Sequence, residues 1–273
     1  MNRLLKCLLL LSLTLVSVAT AVAQEPEAAE PPNPILFLTD NRTESPPAVD
    51  LRLFGYTPQG DPLAISPTTI TISHGDTAVS EAAVLGSENV GTFTLFLIDI
   101  PPGVADQFET IAADIRNYAS AATMQEQLDS VAIYQVGEDA ATEILPPTDF
   151  HNAVQNVFAT PLEPAQGATA LVDSINSLLD EMDDIKPDPA LAASIVVFTD
   201  GTDVVSSTDS STIGPRAAEL GIPLHTIWLE NASLPPVGQE LGRDYLETLA
   251  MQSRGRATTI ADDTAVANLW SHI

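Results

Sequence analysis

The chain has 273 residues, 45% of them hydrophobic, with a single cysteine and a formal net charge of −27. So large an acid excess disfavours nucleic acid and anionic lipid surfaces as partners and favours cations or basic protein surfaces. Cys7 lies in the amino-terminal apolar segment, so the remainder has no disulfide, thiolate nucleophile or cysteine metal site and must fold on an ordinary hydrophobic core.

Taken in chain order, Met1-Asn2-Arg3-Leu4-Leu5-Lys6 precedes an apolar run from Cys7 to about Val18, and the small residues Ala21-Val22-Ala23 follow. These are the three regions of a secretory signal, with cleavage expected after Ala23. The run is short for a bilayer core, so residues 1–23 predict export to the cell surface, periplasm or medium rather than an anchor. Residues 24–34, rich in proline and glutamate, read as a linker. Residues 35–91 read as a small β-rich, sandwich-like unit. Leu51 and Leu53, then Ile70 and Ile72, alternate with polar neighbours, and Gln59-Gly60-Asp61-Pro62 and His74-Gly75-Asp76 supply turns.

From about Thr92 the pattern changes. Phe93 to Ile98 is a continuous apolar run ending at Asp99, as in a parallel strand buried on both faces. Pro101-Pro102-Gly103 break the chain, and Val104, Phe108, Ile111, Ala112, Ile115, Tyr118 and Ala119 then recur at helical spacing. Further strands are predicted at Val131–Val136, Ala141–Leu145 (a short edge strand), Ile195–Phe198, Leu224–Leu229 and Ala257–Ile260. Helices are predicted at Phe150–Phe158, around Leu171 to Met182, ending at Leu220-Gly221, at Tyr245–Met251 and at Ala265–Trp270. Alternating strands and helices predict an α/β fold over residues 92–273: a doubly wound, mostly parallel, Rossmann-like sheet with helices on both faces. Trp228 and Trp270 are read as core residues.

In such sheets ligands bind beyond the carboxyl ends of the strands. Three oxygen-bearing residues sit there: Asp99, Thr169 in Gly167-Ala168-Thr169-Ala170-Leu171, and Asp200 in Val196-Val197-Phe198-Thr199-Asp200-Gly201. An all-oxygen set suits Mg²⁺, Mn²⁺ or Ca²⁺ rather than zinc. The same two aspartates can equally cap the following turns through backbone amides, and position alone does not separate the readings.

These segments, with Leu145-Pro146-Pro147-Thr148-Asp149 and Gly221-Ile222-Pro223-Leu224-His225-Thr226-Ile227 in that order, resemble a von Willebrand factor A (vWA) domain. The resemblance implies a metal-ion-dependent adhesion site, an Asp-x-Ser-x-Ser loop with a later Thr and a later Asp, and Asp99, Thr169 and Asp200 match it. Pro101 and Gly103 replace the two serines and offer no side-chain oxygen, so the resemblance implies a degenerate site. Serines restored at both positions would be expected to add two donors, provided the turn keeps its path.

Enzyme readings fare worse. Asp200-Gly201-Thr202 resembles the end of the haloacid dehalogenase loop, but Phe198 stands where the nucleophilic aspartate would be. There is no G-x-S-x-G elbow, P-loop or dinucleotide fingerprint. His74, His151, His225 and His272 are scattered, and His225, inside an apolar strand, reads as structural. Asn41-Arg42-Thr43 and Asn231-Ala232-Ser233 match the short glycosylation pattern. The sequence therefore predicts an exported, non-enzymatic protein that binds or adheres to a protein ligand through the strand-end rim, with weak divalent-cation dependence at most. A metal-free structural or assembly scaffold is the alternative, and a hydrolase a distant third.

Overall fold

The computed structural model describes residues 35–42, 50–56, 73–74, 77–78, 91–120, 122–165, 167–270 and 273. The signal and linker segments, the Gln59–Pro62 turn, Ile70, Ile72 and His272 lie outside the described residues. In the amino-terminal part, β1 (Ile35–Arg42) pairs antiparallel with β2 (Asp50–Tyr56), with an irregularity between Leu38 and Asp40. A second antiparallel pair joins β3 (Ser73–His74) and β4 (Thr77–Ala78).

The main sheet holds β5 (Thr92–Ile98), β6 (Ser130–Val136), β7 (Ala141–Thr148), β8 (Ala192–Thr199), β9 (Leu224–Trp228) and β10 (Ala257–Thr259). Its spatial order is β10-β9-β8-β5-β6-β7, parallel except for β7. This is the doubly wound sheet that the alternating pattern predicts. The central strands β5 and β8 are apolar runs because both of their faces are covered.

Successive side chains of a strand point to opposite faces, so β5 feeds two cores. Phe96 and Ile98 pack with α1 (Phe108–Tyr118) and α6 (Asp263–Trp270), whereas Phe93, Leu95 and Leu97 pack with α3 (Leu171–Ile185) and α4 (Ile213–Leu220). All seven residues of the stripe from Val104 to Ala119 are buried, but the element starts as a 3₁₀ turn over Pro102–Gln107 before becoming α1. Helix α2 (His151–Val157) follows β7, and α4 ends on Gly221 in the left-handed conformation, φ 70°, as a glycine at that position favours.

Three sequence expectations change. β7 runs three residues beyond Leu145, carrying Pro146 and Pro147 where its register with β6 shifts; at a sheet edge and a bulge, proline costs no ladder bond. α5 spans Pro236–Ser253 rather than starting at Tyr245. Its first two turns bury almost nothing, so no apolar stripe announces them, and Pro236 at the first helical position is the start signal. Trp270 is 8% exposed and packs in the core, but Trp228 is only half-buried, lying under the Arg243 guanidinium at 5.3 Å.

Asp114 lies in a groove between α1 and α6 with Glu109, Asp263 and Trp270. Burial, and then the negative charge of Asp263, push its carboxyl up to about 6. The folded state thus holds this proton more tightly than the unfolded chain does. The resulting stability is fully present below about pH 4 and is lost as pH rises through about 6. Asp114→Asn is expected to flatten the decline between pH 4 and 6 and to raise stability at pH 7. Denaturant unfolding of both proteins across that range checks it; parallel pH profiles would contradict it.

Candidate functional site

From the adjacent strands β5 and β8 the chain winds in opposite directions, toward β6 and toward β9, which makes their carboxyl ends the switch point of the sheet. Ile98 sits beside Phe198 in register, and the Asp99 amide donates to the Phe198 carbonyl at 2.8 Å. Asp99 and Asp200 are therefore side by side at the rim, with Thr169 coming from the segment that enters α3. All three are buried, at 0%, 1% and 5% exposure.

Asp99 accepts the Thr199 hydroxyl on Oδ2 at 2.7 Å, while its Oδ1 is buried without a hydrogen-bond partner. Burial pushes this carboxyl up to about 7, against the Thr199 and Thr169 hydroxyls, which favour the charged form; Asp200 and Asp203 push it further up. Asp200 has both oxygens engaged. Oδ1 accepts the Thr202 amide and hydroxyl at 2.8 and 2.7 Å, and Oδ2 accepts the Asn231 side-chain amide at 2.5 Å. The capping alternative is thus realised at Asp200, whose Oδ1 closes a turn onto Thr202, but not at Asp99.

Pro101 precedes the 3₁₀ turn at its N-cap and Gly103 lies inside it, pressed against the segment after β9. A Cβ at Gly103 would overlap Asn231 Oδ1 and Ser233 Oγ and come within 2.6 Å of Asn231 Cγ. Serines at 101 and 103 therefore add two donors only if Asn231, 4% exposed, gives up the space beside residue 103. Its Oδ1 accepts the Ser233 amide at 3.0 Å and the Ser233 hydroxyl.

A second cluster holds the loop after Asp200. Asp203 Oδ2 accepts the Val172 amide at 2.7 Å, and Ser206 Oγ accepts the Asp173 amide at 3.0 Å, so both cap the first turn of α3 from a distance. Ala170, the residue that precedes α3, contributes no side-chain cap. In return Asp173 accepts the Ser207 and Thr208 amides, and these contacts, with the Thr208 hydroxyl foremost, lower its carboxyl to about 2. Gly201, at φ 79°, lies against Gly242 of α5, which fixes the other side of the loop.

Residues 95–271 match the family model of the von Willebrand factor type A domain. The chain belongs to that family. Among solved structures, the VWA chain resembles the conserved hypothetical protein BatB from Bacteroides thetaiotaomicron, at 15% identity and TM-score 0.51, over 67% of this chain and 97% of that one. It also matches a von Willebrand factor type A protein from Catenulispora acidiphila, at 16% identity and TM-score 0.47, over 66% of this chain and 41% of that one. At these identities the likeness is one of fold. No curated protein matches the sequence.

VWA domains often bind a divalent metal at the rim and commonly bind proteins. Six or more oxygens surround Mg²⁺ or Ca²⁺, and this rim does not supply the family's set. Asp99 Oδ1 and the Thr169 hydroxyl are suitable donors, but both oxygens of Asp200 already accept hydrogen bonds, Pro101 has no side-chain oxygen, and Gly103 has none either, with Asn231 and Ser233 side chains where one would stand. Among the described residues no three His, Cys, Asp or Glu side chains converge as a metal group.

Asn231, Asp203 and Ser206 escaped the sequence reading. Asn231 was visible only as a glycosylation pattern, yet Asn-x-Ser is also a turn signal in which the side chain bonds the backbone two residues on. That is its use here, and in the folded domain its amide nitrogen is buried against Asp200. Nothing local marks Asp203 and Ser206, because the amides they cap lie more than thirty residues earlier.

Proposed function

We propose that this is an exported, non-enzymatic protein whose VWA domain binds a protein partner through the strand-end rim, with weak divalent-cation dependence at most. One observation carries the reading. Of seven large hydrophobic side chains exposed among the described residues, four lie at the rim end: Val204 at 85%, Val205 at 48%, Val237 at 66% and Leu241 at 65%. Val204 and Val205 follow Asp200, and Val237 and Leu241 share one face of the first turns of α5. Exposed apolar side chains grouped at one place on a surface, unlike single scattered ones, mark contact sites, and the loop that carries two of these is pinned by Asp203, Ser206 and Asp173.

The acid excess makes a basic or neutral partner surface the complementary one. Asp209, Glu230 and Glu240 stand exposed at this end of the domain. The non-enzymatic part of the reading is supported by the histidines: His225 is buried in β9 with its Nδ1 accepting the Arg256 amide, and His151 contacts the Met124 carbonyl, away from the rim. Export rests on the amino-terminal signal pattern, and protein recovered outside the cytoplasm should begin at Gln24.

A photo-cross-linking side chain placed at Val204, in protein produced by its own cells, is expected to give a discrete protein adduct. The same group at Met251, exposed at the opposite end of α5, should give none. Adducts from Met251 alone would overturn the rim as the contact surface, and none from either position would favour the scaffold reading.

A further inference from the structure

We infer that Asn231 is the resident occupant of the Asp200 side of the adhesion site, so that a side-chain amide of this chain, and not a divalent cation, meets that carboxylate, while Asp99 Oδ1 stays without a hydrogen-bond partner. The orientation of the amide follows from its neighbours. The Ser233 amide can only donate, so the atom that receives it is Oδ1, and the Nδ2 hydrogens must then face Asp200, whose carboxylate can only accept. Asn231 thereby meets both requirements that a metal would meet elsewhere. It presents positive hydrogens to Asp200 Oδ2, and it fills the volume beside Gly103 where a serine donor would stand.

Gly103, Asn231 and Ser233 belong together. A glycine at 103 is what allows Asn231 to enter, since any Cβ there overlaps its carboxamide. Ser233 anchors the far side of that carboxamide through its amide and hydroxyl. On this side of the rim an internal hydrogen-bond network thus stands where ligands of a metal would be expected, and not merely a gap. Where a cation is present, an acidic group of a partner can join its shell; a rim that holds an amide there offers no such bond and instead suits a partner that brings donors or apolar surface. That consequence rests on the protein-binding reading above, whereas the occupancy by Asn231 does not.

The test is Asn231→Asp in the full mature chain. The substitution keeps the shape but turns a donor facing Asp200 into a second carboxylate at hydrogen-bond distance, which repels unless a proton or a cation lies between them. Thermal unfolding is measured with chelator, then with Mg²⁺, Mn²⁺ or Ca²⁺, for wild type, Asn231→Asp and Asn231→Ala. The wild-type midpoint should not respond to the cations. Asn231→Asp should fall by several degrees in chelator and regain much of the loss with a divalent cation, while Asn231→Ala falls without cation rescue. Calorimetric titration of the wild type with Mn²⁺ stands independently of whether the variants fold, and no binding heat is expected. Wild-type binding that disappears in Asp99→Ala would overturn the inference, and so would an Asn231→Asp variant indifferent to every cation. Neither result bears on the cross-linking experiment, so the two readings fail separately.

Discussion

Phe96→Ala is expected to destabilise the domain by about 3–5 kcal/mol, the range for removing a buried aromatic side chain. Phe96 is fully buried in the middle of β5, the strand that also ends in Asp99. Its ring meets three others: Tyr118 edge-on at 5.3 Å, Trp270 edge-on at 6.0 Å and Phe198 at 6.4 Å. These come from α1, α6 and β8, so alanine would leave a cavity walled by three different elements that cannot collapse together. Tyr118 is further fixed by a hydrogen bond between its hydroxyl and that of Thr94, at 2.7 Å. Denaturant unfolding at constant m-value measures the loss. A change under about 1 kcal/mol would mean that the site relaxes in a way this packing does not allow.

Gly201→Ala is the second large effect, and it acts at the rim itself. The residue has φ 79°, where a side chain costs about 1–3 kcal/mol. An alanine Cβ would also lie 2.7 and 2.8 Å from the carbonyl carbon and Cα of Gly242. Those are backbone atoms of α5 and have no rotamer to change, so an overpacking cost of about 1–3 kcal/mol adds to the strain. Gly238→Ala is the matched control: it lies in the same helix, its nearest contact would be Pro235 Cδ at 3.5 Å, and alanine there is expected to stabilise by roughly 0.4–1 kcal/mol. Paired unfolding curves decide it. Equal effects at the two glycines would show that the approach of residue 201 to α5 is not what sets this end of the domain.

The sequence exposed what depends on short-range periodicity. The run from Phe93 to Ile98, the stripe from Val104 to Ala119 and the glycine after Leu220 place a central strand, the helix behind it and a helix end, because burial repeats along the chain wherever one face is covered. Asp99 and Asp200 were legible for the same reason, since they sit where apolar runs stop, whereas Thr169 stands just before the helical stripe that starts at Leu171. What stayed hidden depends on contacts between distant segments. The first half of α5 buries glycine rather than leucine against the loop at Asp200, so close packing there leaves no hydrophobic mark. Gly103 reads as a lost ligand until Asn231 is seen beside it, and the two are meaningful only as a pair joined across the rim.

The distant cap of α3 has a kinetic corollary. Its first turn has no side-chain cap of its own, and the amides of Val172 and Asp173 are received by Asp203 and Ser206, which follow β8. Closing those bonds requires a loop of more than thirty residues to be drawn in, an entropic cost met only once the intervening chain is already ordered. The cap at the start of α3 is therefore expected to close after β8 has joined β5, whenever the helix itself forms. The apolar loop that faces solvent at the rim is held by the same contacts, so the surface proposed to meet a partner is expected to be among the last parts of the domain to take shape.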